Sequence, residues 1–353
     1  MSHQVPRIPV IGYCDPLSVR PGERISFKVS CAAPGAFSAG LHRSICADPN
    51  RDGPGIIEHP VEAALAGDYT ARQQAFNPGS YALVKPGPAL SGDVTLTATV
   101  WPTLPGDGEQ AIISAGGFEL YLDGDGALAA KIGTASVTTG KPLLARKWCA
   151  VRLSYDGTAG TLSVTQQPNG IWGEAAQATT AAPGSAYDAT QPLLIAAALR
   201  NGHADRHFDG KIEAPAVYAA AAADPTKLAA KWDFARQSSS LTIEDIGPGA
   251  HHGDLVNHPA RAMAGAAWDG SDMNWQQRPE HYGAIHFHRD DIYDFGWDTD
   301  FEWTVPEGFA SGVYIVRIRQ GEHEDAIPFY VCPPKGKRTA DLAVLASTFT
   351  HVI

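Results

Sequence analysis

Residues 25–30 alternate strictly, with Ile25, Phe27 and Val29 apolar and Ser26, Lys28 and Ser30 polar. A period of two puts one face of a strand in a core and leaves the other in water. The signature recurs along the chain. Residues 94–101, Val-Thr-Leu-Thr-Ala-Thr-Val-Trp, place Val94, Leu96, Ala98 and Val100 on one side. Segments 118–122 and 127–132 flank Asp123-Gly124-Asp125-Gly126, a hairpin turn in which glycine supplies the positive φ. Segments 148–155 and 161–166 flank a second turn, Asp156-Gly-Thr-Ala-Gly160. Further strands are predicted over 8–13, 192–199, 208–218, 284–288, 301–305, 312–319 and 327–331. One short helix is predicted over 226–232, capped by Asp224 with Pro225 at its first position. Short strands at regular spacing, with almost no helical period, indicate an all-β chain built on sandwiches.

Breaker-rich stretches set the expected organisation. Residues 47–55 hold Asp-Pro-Asn-Arg-Asp-Gly-Pro-Gly and read as a linker, as does the basic Pro333-Pro334-Lys-Gly-Lys-Arg338. Too few strands precede residue 47 for a stable sandwich. The economical arrangement is one discontinuous Ig-like β-sandwich made of residues 1–55 and 275–333, with a larger sandwich, 56–274, inserted. Residues 334–353 end in Asp-Leu-Ala-Val-Leu-Ala-Ser-Thr-Phe-Thr-His-Val-Ile. That run reads as a linker and the first buried strand of a truncated α/β domain.

Composition narrows the classes. The 353 residues carry 36 glycines, 26 prolines and a net charge of −11, a turn-rich chain with a diffusely acidic surface. Such a surface disfavours nucleic acid or an anionic membrane as partner. The longest apolar runs, 192–199 and 214–223, are too short to span a bilayer, and the second is broken by Pro215. The start shows no basic region leading into an apolar core, so no signal peptide is visible. Cys14, Cys31, Cys46, Cys149 and Cys332 are scattered, with no C-x-x-C, and read as reduced thiols of a cytoplasmic protein.

Candidate chemistry is sparse. Asp123 and Asp125 invite a calcium loop, but the position of its bidentate glutamate holds Thr134, which favours a plain hairpin. His251, His252 and His258 form one histidine group, and His281, His286 and His288 another. His286 and His288, an H-x-H pair on one strand face, could chelate a metal with His281, Asp290 or Asp291, although surface or interface histidines are the plainer reading. Glu119 and Glu213 lie in strands but belong to no E-x-D-x-x-E pattern of a glycosidase pair. The chain has no G-x-S-x-G, Walker or Rossmann motif. Trp101, Trp148, Trp232, Trp268, Trp275, Trp297 and Trp303 offer a sugar-stacking platform or, more commonly, core anchors. No residue is assigned a catalytic, cofactor-binding or metal-binding role.

Two resemblances follow from particular residues. Segment 94–101, Trp148-Cys-Ala-Val-Arg-Leu-Ser-Tyr-Asp-Gly157 and Phe208-Asp-Gly-Lys-Ile-Glu213 resemble the laminin G/concanavalin A-like jelly roll. Gly12-Tyr-Cys-Asp-Pro-Leu-Ser-Val-Arg-Pro-Gly22, Lys231-Trp-Asp-Phe234, Asp245-Ile-Gly-Pro and His252-Gly-Asp-Leu-Val-Asn-His-Pro259 begin a second resemblance. Trp268-Asp-Gly270, Ile285-His-Phe-His-Arg-Asp-Asp291, Trp297, Val305-Pro306, Ser311-Gly-Val-Tyr314, Ile327-Pro-Phe-Tyr-Val331 and the 342–350 strand complete it. Together these resemble the N-terminal half of the N,N-dimethylformamidase large-subunit family. That resemblance implies an amidohydrolase cleaving dimethylformamide to dimethylamine and formate. It further implies a mononuclear iron held by two tyrosines and a glutamate in a downstream α/β domain. A small subunit and further copies of the large subunit are the implied partners. On this reading the present chain is a non-catalytic scaffold and interface part. The alternative is a carbohydrate-binding jelly-roll module.

Overall fold

The computed structural model describes residues 8–347. They form strands joined by turns, with two short 3₁₀ segments, Pro225–Lys227 and Pro279–His281, and no α-helix among the described residues. The chain makes two compact units, residues 1–76 with 295–353, and residues 77–294.

In the first unit, Val10–Asp15, Arg24–Cys31 and Phe301–Thr304 make a three-stranded antiparallel sheet. A second sheet runs Ser18–Val19, His323–Val331, Gly312–Gln320, Gly35–Ala47, Ile56–Val61, with Gly67–Ala71 also on Gly35–Ala47. The alternation read from sequence buries Ile25, Phe27 and Val29, which meet Phe37, Leu41, Tyr314, Val316 and Phe329 in one core. Phe301 stacks on Phe27 at 4.9 Å and on Tyr69 at 4.3 Å between ring centroids.

The second unit is a large rolled sheet. Its path runs from Ala135–Pro142 through Phe118–Leu122, Gln110–Ala115, Tyr81–Val84, Thr242–Asp245, Leu228–Asp233, Gly210–Tyr218, Val94–Pro102 and Cys149–Asp156 to Ala176–Ala181. The inward faces of these strands share one core that includes Val94, Leu96, Phe118, Leu153, Tyr155, Ile212, Trp232 and Phe287. Burial pushes two free thiols up, Cys14 of the first unit to about 12 and Cys149 of the second to about 11, which keeps both protonated.

Several expectations are corrected. Residues 47–55 are not a linker between units but the connection of a hairpin, with Ala47 paired to Ile56 and Gly53 donating to Asn50 O at 3.1 Å. Residues 56–76 therefore pair within the smaller unit rather than opening the larger one. Residues 284–287 pair with Gly210–Tyr218 in the larger unit, so its boundary falls at 294 rather than 274. The helix over 226–232 is a single 3₁₀ turn, capped as expected by Asp224, followed by the strand Leu228–Asp233. Ala230 and Trp232 are both buried there at a spacing of two, and that burial overrides local helix propensity. Segment 192–199 breaks at Ala196, whose φ of 69° turns the chain between Leu193–Ile195 and Ala198–Arg200. Residues 341–347 form no strand; Leu342, Val344 and Leu345 are exposed, and no described strand offers them a ladder partner. The remainder of that predicted strand, 348–353, lies outside the described residues.

Candidate functional site

The predicted histidine pair does share a face. His286 lies next to the end of the strand Ala284–Phe287, and its ring centroid is 4.0 Å from that of His288. Of the proposed third ligands only Asp291 joins them: its Oδ2 accepts from Ser80 Oγ at 2.6 Å and lies 3.3 Å from His288 Nδ1. His286 Nε2 is 3.2 Å from Thr103 Oγ1. Asp290 is exposed, and His281 is buried elsewhere beside Arg278 and Asp269. Next to this network Asp209 holds Arg289 and receives its backbone amide at 2.9 Å. The result is a hydrogen-bonded strap tying the end of one strand to Gly79 and Ser80. Among the described residues no group of three or more His, Cys, Asp or Glu is placed to hold a metal.

This strap carries a pH signature. Burial keeps His286 neutral down to about 4, with His288 and Lys211 pushing the same way and Asp291 opposing. The hydrogen bond to Asp291 holds His288 above the ordinary histidine range, against its burial. An unfolded histidine titrates near 6.5. Between pH 6.5 and 4 the unfolded chain thus binds a proton at position 286 that the folded chain does not, and stability falls as pH falls. His207, lowered by burial, adds to that loss. His288 works the other way: its stabilisation is complete below 6.5 and is lost as pH rises through its raised folded value. His286→Gln is therefore expected to reduce the acid-side loss by about 1–2 kcal/mol, discounted for partial exposure. Urea unfolding at a series of pH values between 4 and 6.5 measures it, and an unchanged slope would remove His286 from the account.

The other candidates resolve into structural roles, with one exception. Asp123 spends its oxygens locally, accepting from Ala127 N of its own hairpin at 2.9 Å and from Thr138 Oγ1 of the next strand at 2.7 Å. Glu119 is held by Lys131 at 3.2 Å and by Arg206. Trp232 is buried in the larger unit's core, Trp297 and Trp303 are buried in the smaller unit, and Trp268 and Trp275 are exposed, so no single stacking platform forms. His251 and His252 bond to Pro86 O and to the Asp245 amide, while His258 stacks on Tyr293.

Glu213 is the exception. The ladder between Gly210–Tyr218 and Val94–Pro102 slips between Glu213 and Ala216, and Ala214 adopts a φ of 48°. A left-handed alanine in a strand is strained, and bulges of this kind re-aim side chains. The signal was present in the sequence as Ala214-Pro215, since proline removes a ladder donor and settles at bulges. Glu213 Oε2 accepts from Ala266 N at 2.7 Å. Burial holds its carboxyl above the usual glutamate range, Asp233 pushes the same way, and the Ala266 amide opposes. Glu213 lines a cleft of about 530 Å³ together with Lys231, Asp233, Arg236, Ile246 and Pro279. Lys231, Asp233 and Ile246 belong to segments that carry the second resemblance.

The larger unit is a rolled β-sheet, and within it residues 77–225 match the concanavalin A-like lectin/glucanase superfamily. Residues 260–352 match the family of N,N-dimethylformamidase β subunit-like C-terminal regions. Over 98% of its length the chain is related to the β subunit of N,N-dimethylformamidase, with 35% identity to that of Paracoccus aminophilus and 36% to that of Alcaligenes sp. It spans about half of these relatives, 52% of each. A solved structure of a putative carbohydrate binding protein from Bacteroides ovatus aligns over 70% of this chain and 91% of its own, at 14% identity and a TM-score of 0.41. No helix among the described residues is long and apolar enough to cross a membrane.

Proposed function

We propose that this chain is the all-β, non-catalytic scaffold and subunit-contact part of a cytoplasmic N,N-dimethylformamidase-like amide hydrolase, whose catalytic iron lies in a region beyond these residues. The supporting observation is identity sustained over 98% of this chain while it spans only 52% of the relatives. Burial raises the phenols of Tyr69, Tyr81, Tyr121, Tyr187 and Tyr314, and Glu119, the carboxylate near Tyr121, is already held by Lys131 and Arg206, so these groups are poor candidates for the two-tyrosine, one-glutamate iron site that the family implies. A contact role is supported by the hairpin of Gly35–Ala47 and Ile56–Val61, which exposes Ile45, Ile56 and Ile57 near its turn.

The test compares this chain with the protein extended to the relatives' full length and supplied with its small subunit. The extended protein is expected to hold stoichiometric iron and release dimethylamine from dimethylformamide, and the 353-residue chain alone to do neither. Metal-dependent turnover by the chain alone would overturn the scaffold reading and return attention to His286, His288 and Asp291.

A further inference from the structure

We propose that the outer face of the strands Val94–Pro102, Cys149–Asp156 and Thr161–Pro168 binds a small monocarboxylate, with the Arg152 guanidinium donating to its oxygens and Ala150 flooring its alkyl group. The ladder register builds this site. Leu96, Ala98, Val151, Leu153 and Val164 take the core side of the three strands, so Thr97, Thr99, Ala150, Arg152, Thr165 and Gln167 share the opposite side. Arg152 stands directly across from Thr97 on one strand and from Thr165 on the other. One row along, Ala150 stands between Thr99 and Gln167. Cross-strand neighbours on one face lie about 5 Å apart, so a methyl group between longer side chains leaves a hollow at the foot of the arginine. All of these outer-face residues line one cleft of about 400 Å³.

The guanidinium in that cleft lacks a counter-charge. Its NH2 donates to Thr165 Oγ1 at 3.4 Å, while Nε is buried without an acceptor. Among the described residues NH1 has no acceptor and Arg152 enters no salt bridge, and the cleft's lining holds no Asp or Glu. Arginine stays charged at any pH the fold tolerates, and a partly buried cation without an anion is costly. A carboxylate meeting the fork with both oxygens offsets that cost, and the threonine hydroxyls beside it supply further donors. The chain's net charge of −11 repels a polyanion more strongly than a single carboxylate, which selects for a monoanion. The inference stands apart from the amide-hydrolysis reading.

The 353-residue chain is titrated with sodium acetate and, at matched pH and ionic strength, with sodium chloride, sodium sulfate and acetamide. The backbone amides and the Arg152 side-chain Nε–H are followed by NMR. Acetate is expected to saturate with a dissociation constant of about 1–10 mM, within reach of so few atoms, and to move the Arg152 Nε–H resonance. Acetamide, which keeps the shape and loses the charge, and the Arg152→Met variant should each show binding at least about tenfold weaker. Shifts no larger than those from chloride, sulfate bound as tightly as acetate, an unmoved Nε–H resonance, or an Arg152→Met affinity equal to the parent's would each overturn the proposal. If Arg152→Met does not fold, Ala150→Val, which fills the hollow without altering a charge, replaces it under the same criteria. The readout involves no turnover, so failure of amide hydrolysis leaves it unaffected.

Discussion

Trp232→Ala is expected to destabilise the larger unit by about 4–5 kcal/mol, the largest single-residue effect in this chain. The indole is fully buried in the principal core, which also holds Val94, Ile212 and Phe234. Its Nε1 also donates to His251 O at 2.8 Å, in the turn that follows the Thr242–Asp245 strand. Alanine removes the ring volume and leaves that carbonyl unpaired, so a cavity cost and a polar cost coincide. Trp232→Phe separates the two: it keeps most of the packing and loses only the bond, for about 1–3 kcal/mol. Urea unfolding at unchanged slope measures both variants. Equal losses for Phe and Ala would mean that the hydrogen bond, not the ring, anchors the strand.

Arg261→Met should cost about 3 kcal/mol and loosen the wall of the Glu213 cleft. The Arg261 guanidinium is surrounded by backbone carbonyls. NH1 donates to Ser240 O and Thr242 O, both at 2.8 Å, and NH2 to Arg236 O at 2.9 Å and Phe234 O at 3.2 Å. Burial lowers its proton affinity, yet the four carbonyls keep it charged and useful as a clamp on residues 234–242. Methionine preserves the stem and leaves all four acceptors without their donor. Arg261→Lys should fall between, since an ammonium cannot reach four carbonyls in the fixed fork of a guanidinium. Hydrogen exchange at Ser240, whose amide bonds to Gln237 O at 2.9 Å, should accelerate in Arg261→Met together with the stability loss. A change within about 0.5 kcal/mol would show the loop to be held by its own turns.

The two effects were unequally legible. Trp232 stands out in the sequence as a tryptophan in Lys231-Trp-Asp-Phe234, although the local pattern predicts a helix there. Arg261 carried no local signal. It lies in Ala260–Met263, an unremarkable four-residue strand, and its function depends on carbonyls about twenty residues earlier in the chain. The Gly35–Ala47 strand escaped for a related reason. Phe37, Ala39 and Leu41 are its buried positions, but Ser38 and Gly40 between them, with so small a residue as Ala39 on the buried face, blur the alternation.

The sequence by itself determined the strands with strong two-residue alternation, the Asp-Gly hairpin turns, the 3₁₀ cap at Asp224 and the all-β class. Each depends on side-chain periodicity or turn chemistry within a few neighbouring residues. Only the tertiary structure decided that residues 47–55 close a hairpin, that 284–287 pair with 210–213, and that Glu213, beside a bulge at Ala214, lines one cleft with Asp233. Ladder partners and burial are set by residues distant in the chain, and local pattern cannot choose among them until the sheet has closed.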